Sequence, residues 1–423
     1  MENRRLRFLA WFLLALPFLA KISLSWTGLV PDRLGYLIYQ GGLHPYINVL
    51  LCLLAGVPLI IGIYPDLLAH FHPAYRTFIV GITIILGIQS TLQIIIDPAI
   101  PAIETIGVLG LTYYLFLLYG IVLPLVIGLD EALDKIARIC LWIIVISIGL
   151  KIIGSPFVYK GNRFIGIFKH IPHMVTCATV GFIFYLNSWK NLKSFFSKIS
   201  FVLALSFCMA AVILTGTRSA LFACTVATLL FFVCYKSKNA KFQLGRILVF
   251  WVMLLALLLF GVQGYNYGKS LVTGEIALGE REAQNGLADR WDEILRGMES
   301  FSESPHIGLG LLSKFGNSDG AEVVDSYNSF QDPHNLLISA AVVGGWPLAI
   351  WIAFGMVLLT IQSIRTTYQG IPPTLTLGVY LLSHLPILMI YHIHLSIGGM
   401  ADRLYWLAFA YLALKMAPTK NNL

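Results

Sequence analysis

The chain predicts an all-α polytopic membrane protein of about twelve transmembrane helices with one large exported loop. Three observations carry that prediction. The 423 residues are 57% hydrophobic and only 12% charged, with a mean hydropathy of +0.79, whereas soluble domains carry charge on roughly a quarter of their residues. Apolar runs of about 17–25 residues, enough to cross a ~30 Å hydrocarbon core as helices, recur along the whole length. One stretch, Val262–Pro333, breaks that monotony, with 12 of the chain's 21 acidic residues against 5 basic ones.

The spans lie at roughly 7–25, 47–64, 77–96, 106–128, 136–154, 172–188, 199–216, 219–235, 245–263, 335–361, 373–394 and 403–416. The first follows Glu2, Arg4, Arg5 and Arg7 and has no small-residue cleavage site behind it, so it reads as an uncleaved helix. Lys and Arg set the orientation. With the amino terminus in the cytoplasm, every inner segment holds a basic residue, among them Arg76, Lys135, Arg138, Lys190, Lys193, Lys198, Lys236, Lys238, Lys241, Arg246, Arg365 and Lys415. Both termini then face the cytoplasm, and residues 264–333 form a periplasmic loop before the third-last helix of a single membrane domain, 1–423.

Much of the net charge of +8 is this inside bias, which reports insertion and contact with anionic lipid, not nucleic acid. All six cysteines sit in or against apolar spans and none in the exported loop, which argues against a disulfide framework, and their spacing suggests no metal site. The chain has no Asp-x-Asp pair. Its nearest approach, Glu280-Arg281-Glu282, holds a basic residue between its carboxylates, so the sequence calls for no divalent ion and no cofactor.

The informative charges are those outside the inner segments, among them Arg33, Lys160, Arg163, Lys169, Arg218 and Arg403. Arg218 lies in the turn Gly216-Thr217-Arg218-Ser219-Ala220, so short that the flanking helices must form a tight hairpin. A guanidinium at that depth is costly unless paired or solvated. Either it snorkels to lipid phosphate or it holds a ligand. Arg163 and Lys169 bracket an outer loop of mixed basic and aromatic residues ending at His170.

Inside the exported stretch, Leu287, Trp291, Ile294, Leu295, Met298 and Phe301 recur at helical spacing, with Asp289, Asp292, Glu293, Glu299 and Glu303 between them. This predicts an amphipathic helix of about four turns that ends at Ser304-Pro305. Arg290 borders its apolar face, where it can point into a cavity or pair with Glu293. Pro333 favours the first turn of the next helix, with Asp332 placed as its N-cap and His334 near an exposed helix start. Neutral imidazole there is either a proton acceptor near pH 7 or an interfacial group.

In order along the chain come Thr217-Arg218-Ser219, then Arg290-Trp291-Asp292-Glu293-Ile294, then Ser304-Pro305-His306-Ile307-Gly308-Leu309-Gly310. Pro333-His334-Asn335-Leu336 follows, and then Gly344-Gly345. This order, over about residues 155–365, resembles the O-antigen ligase and polymerase superfamily, and within it the chain looks most like the O-antigen ligases. The resemblance implies a GT-C-like fold in the bacterial inner membrane. It implies a metal-independent, inverting transfer of a glycan from undecaprenyl diphosphate to lipid A-core at the periplasmic face, in lipopolysaccharide biosynthesis. Arg218 and Arg290 would then contact the donor diphosphate and His334 would act on the acceptor. Arg163, Lys169, Asp402 and Arg403 are further candidates, the last two from an expected external turn at Gly398–Arg403. A polymerase or a protein O-oligosaccharyltransferase would use the same donor. A polyprenyl-glycan transporter is the non-enzyme alternative, and it predicts paired repeats with broken helices at the midplane. No internal repeat is visible in the sequence.

Overall fold

The structure, a computed structural model, describes residues 2–23, 38–39, 42–43, 45–63, 67–96, 102–160, 163–168, 170–236, 270, 288–311, 335–386 and 400–414. The expected span 245–263, most of the loop 264–333, Lys169, Asp332 and His334 lie outside the described residues.

The described chain is almost all helix. Its helices are α1 (Glu2–Leu19), α2 (Pro45–Ile63), α3 (Pro73–Ile96), α4 (Ala102–Leu117), α5 (Leu123–Val126), α6 (Leu129–Ile152), α7 (Ile171–Tyr185), α8 (Phe195–Leu214), α9 (Arg218–Cys234), α10 (Ala288–Glu303), α11 (Leu336–Gln369), α12 (Thr374–His384) and α13 (Met400–Ala413). Two small antiparallel hairpins interrupt them, Ile38–Tyr39 with Gly42–Leu43 and Tyr159–Lys160 with Arg163–Phe164. Among the described residues, Pro73–Ile96, Ala102–Val126, Phe195–Leu214 and Leu336–Gln369 are long and apolar enough to cross a membrane. Their outward positions are greasy: Ile84, Ile88, Val202 and Val357 are each more than half exposed, which suits a surface bathed in lipid and not in water.

The chain divides into two compact units. The first (1–58, 127–288, 363–384) is built on α6, α7, α8, α9 and α12. Its centre is α7, nearly every residue of which is buried from Met174 to Phe184. Small side chains permit this crowding, and a Cβ on Gly181 would stand 2.8 Å from the Cβ of Cys140. Cys140, Cys177, Cys208 and Cys224 pack here as small apolar groups on four different helices, all reduced and buried. At the start of α6, Lys190 and Asn187 both bond Asp130, and Arg7 of α1 reaches Glu131 at 2.8 Å.

The second unit (59–126, 289–362, 385–423) has an aromatic core. Tyr75 and Phe78 of α3, Phe116 of α4, and Trp406 and Phe409 of α13 meet with ring centroids 4.8–5.9 Å apart. Between α4 and α5 the chain widens into a π-helical turn, Leu118–Val122, and the Tyr75 hydroxyl donates to the Gly120 carbonyl in that turn at 2.8 Å. The Arg403 guanidinium lies 5.4 Å from the ring centroid of Tyr119 in the same turn.

Asp402 and Arg403 open α13 and are buried, at 1% and 3% exposure. Helix α13 starts at Met400, so Asp402 falls in its first turn, where a carboxylate complements the positive end of the helix.

Candidate functional site

In the first unit, Arg163 is brought to the short hairpin that carries Arg218. Helix α8 ends at Leu214, Gly216 turns the chain with φ 65°, Thr217 takes the N-cap position and Arg218 is the first residue of α9. Arg218 is half-buried. Arg163 arrives from the second β-hairpin: its Nε donates to the Thr215 carbonyl at 3.2 Å and its Nη2 to Thr217 Oγ1 at 3.1 Å.

The loop that delivers Arg163 is anchored by its aromatic residues. Phe164 and Phe168 are completely buried, the Ile167 amide donates to Ser147 Oγ on α6 at 3.1 Å, and the Ile167 carbonyl accepts from Ser23 at 2.8 Å. The alternation of basic and aromatic residues therefore has a mechanical meaning: the rings plug the bundle and Arg163 is left at the hairpin. Lys160, paired with Arg163 in the β register, lies beside His170, the N-cap of α7, with Nζ 3.4 Å from Nδ1. Arg163 and Arg218 thus lie at the opening of α9, whose positive helix end attracts anions.

In the second unit the amphipathic helix forms where expected, as α10. Its buried side is a different one from the apolar stripe. Gly297 and Ser300 are buried, while Trp291, Leu295 and Met298 are exposed at 61%, 42% and 54%. Small residues let the helix lie close to its support, and the large apolar side chains face away. Arg290 is in the first turn of this helix.

The segment after α10 explains the glycines noted in the sequence. Helix α11 is broken at Gly344 (φ −132°, ψ 20°) and Gly345 (φ 68°, ψ −174°), which frees backbone groups in an otherwise apolar helix. Residues 305–310 take them up. The Leu309 amide donates to the Val342 carbonyl at 2.7 Å, the Gly310 amide to Val343 at 3.0 Å, and the Trp346 amide to the Pro305 carbonyl at 2.8 Å. The Trp346 indole donates to His306 Nδ1 at 2.7 Å. Two glycines allow this approach. Gly308 (φ 78°) and Gly345 (φ 68°) occupy the left-handed region, and a Cβ on either would stand 2.4 Å from the Val343 oxygen or 2.6 Å from the His306 carbonyl. This clamp ties the end of α10 to the first half of α11.

The start of α11 corrects the cap assignment. Asn335 is the capping residue, its Oδ1 accepting from the amides of Leu337 at 3.0 Å and Ile338 at 3.1 Å. The sequence pattern places the cap at Asp332 and the first turn at Pro333, whereas the helix opens at Leu336. His334 is the residue immediately before the cap. The reason is local: an Asn side chain two or three residues from free amides is the nearest acceptor, and it stops the helix from starting earlier.

The structure thus brings Arg163 to the Arg218 hairpin, places Arg290 on a clamped helix, and buries Asp402 and Arg403 at the start of α13. Sequence reasoning missed the two glutamines of α3, Gln89 and Gln93, which bond to the clamp. Their signal was a pair of amides four residues apart in a span otherwise free of strong polarity. Among the described residues, no group of three or more His, Cys, Asp or Glu could hold a metal ion.

These features define a helical membrane protein with a basic helix hairpin and an amphipathic helix clamped to a broken one. Residues 199–353 match the family model for O-antigen ligase, a match that supports membership of the O-antigen ligase/polymerase superfamily. The matched stretch takes in the Arg218 hairpin, α10, the clamp and the break in α11. Its members are glycosyltransferase-like membrane enzymes that act broadly on lipid-linked glycans and lipid-anchored acceptors. A search among curated proteins finds no match.

Proposed function

We propose that this protein is an O-antigen ligase, transferring a glycan from undecaprenyl diphosphate to lipid A-core at the periplasmic face of the inner membrane. The observation that carries the reading is the guanidinium pair at the start of α9, with Arg163 bonded to Thr217 and Arg218 next in the chain. A polyprenyl diphosphate departs with growing negative charge. Guanidinium forks bind phosphate oxygens bidentately and stay charged at any working pH, and the positive end of α9 adds to their field.

In this reading Arg218 and Arg290 hold the diphosphate and Arg163 stiffens the hairpin that presents Arg218. His334 takes the proton from the acceptor hydroxyl as that oxygen attacks the anomeric carbon. General-base assistance of this kind is worth about 10²–10⁴-fold, and direct displacement inverts the anomeric centre. The layout is the twelve-helix one, with both termini cytoplasmic and residues 264–333 periplasmic.

The test is the lipopolysaccharide of cells with and without the protein, together with turnover of an undecaprenyl-diphosphate glycan and lipid A-core by the purified enzyme. Polymer-capped lipopolysaccharide that disappears on deletion and returns with the gene product supports ligation. Capping that persists with shortened chains would make the protein a polymerase instead, and vesicle transport without transfer would make it a transporter.

A further inference from the structure

We propose that Gln93 is a positioning residue. It fixes segment 305–310 against the break in α11, and thereby sets where the helix carrying Arg290 stands relative to the helix that opens just after His334. For its catalytic consequence the inference rests on the transferase reading above. Its mechanical content stands apart from that reading.

Gln93 lies on α3, a helix long and apolar enough to cross a membrane, and is 4% exposed. A buried amide in such a helix is costly unless its donors are taken. Its Nε2 donates to the Ile307 carbonyl at 2.9 Å and to the Val343 carbonyl at 3.0 Å. One acceptor belongs to the segment that follows α10 and the other to the last turn before the break in α11. A primary amide has two N–H donors, and Gln93 spends one on each side of the junction. One turn earlier, Gln89 donates to the His306 carbonyl at 3.3 Å.

The choice of residue follows from the acceptors. Val343 already receives the Gly310 amide, and a carbonyl has a second lone pair for Gln93. Gly344 and Gly345 leave helical φ/ψ, and the α3 amide adds a side-chain bridge to the backbone bonds that Leu309, Gly310 and Trp346 make across the junction. Leu at this position fills similar space without a donor. Glu presents a carboxylate to two carbonyl oxygens and regains a single donor only when protonated.

Full-length protein in lipid nanodiscs provides the test. Amide exchange at Leu309, Gly310 and Trp346 should be slow in the wild type, and Gln93→Leu should speed it by about tenfold or more, with α6–α9 unchanged. With undecaprenyl-diphosphate glycan and lipid A-core as substrates, kcat per folded molecule should fall about tenfold or more while donor KM stays within about threefold, since register is lost and the donor contacts are kept. Gln93→Glu should be as poor at pH 8 and recover towards pH 5, beyond any change in the wild type. It also carries the test if Gln93→Leu fails to insert. Unchanged exchange, or faster exchange with kcat kept within about threefold, would overturn the proposal. A wild-type protein that transfers no glycan would instead sink the functional reading, with exchange still deciding whether Gln93 holds the clamp.

Discussion

Replacing Gly308 by Ala should open the junction between residues 305–310 and the broken α11. The new methyl would stand 2.4 Å from the Val343 oxygen and 2.5 Å from the Gly344 nitrogen, so the two backbones must part by about 1 Å to reach van der Waals distance. Alanine at φ 78° also costs roughly 1–2 kcal/mol for the left-handed conformation. Parting weakens the bonds from Leu309, Gly310 and Trp346 across the junction, each worth about 0.5–1.5 kcal/mol. The expected loss is about 2–5 kcal/mol in total, read by denaturant or thermal unfolding of the purified protein in one detergent. Gly107→Ala is the control, because a Cβ there meets nothing within 4 Å, and helix propensity makes it neutral or stabilising by about 0.5–1 kcal/mol. If Gly308→Ala unfolds like the control and its glycan transfer is unchanged, the clamp is not what holds α10 to α11.

Asn335→Ala should cost about 0.5–2 kcal/mol through loss of the α11 cap, whereas Asp332→Ala should leave the same unfolding curve in place. Arg218→Lys should cut donor turnover sharply, since the charge stays and the fork is lost. Arg163→Lys should do so to a smaller degree because it supports the hairpin, and near-normal turnover in both would mean that the pair merely snorkels. His334→Ala should retain donor binding and lose about 10²–10⁴-fold in transfer. Disappearance of donor binding on the same sample would make His334 a donor ligand instead.

Membership of the membrane class, the position of most helices and the amphipathic segment were legible in the sequence, because they follow from local hydropathy and period. Apolar runs at 77–96 and 199–216 match α3 and α8 closely, and the period from Trp291 to Phe301 matches α10. The order of the Arg218, Arg290 and His334 motifs pointed to the family for the same reason: short motifs keep their sequence neighbours. Local pattern fails where a residue's role depends on something distant in the chain. Charge at Asp402 and Arg403 marks the start of α13, but that the Tyr119 ring, far away in sequence, receives the Arg403 guanidinium is visible only in the structure. The face of α10 that is buried was set by what small residues could approach, so Gly297 and Ser300 went inward and Trp291 outward.

The sequence by itself therefore determined the solvent of this protein and the list of its polar exceptions, since transfer free energy is additive along a chain and needs no partner. Only the tertiary structure decided which exceptions work together. Arg163 meets the Arg218 hairpin across more than fifty residues, and Gln93 reaches carbonyls more than two hundred residues away. A hydrogen bond requires two groups within about 3 Å, and no periodicity in one segment specifies which distant segment will bring the second.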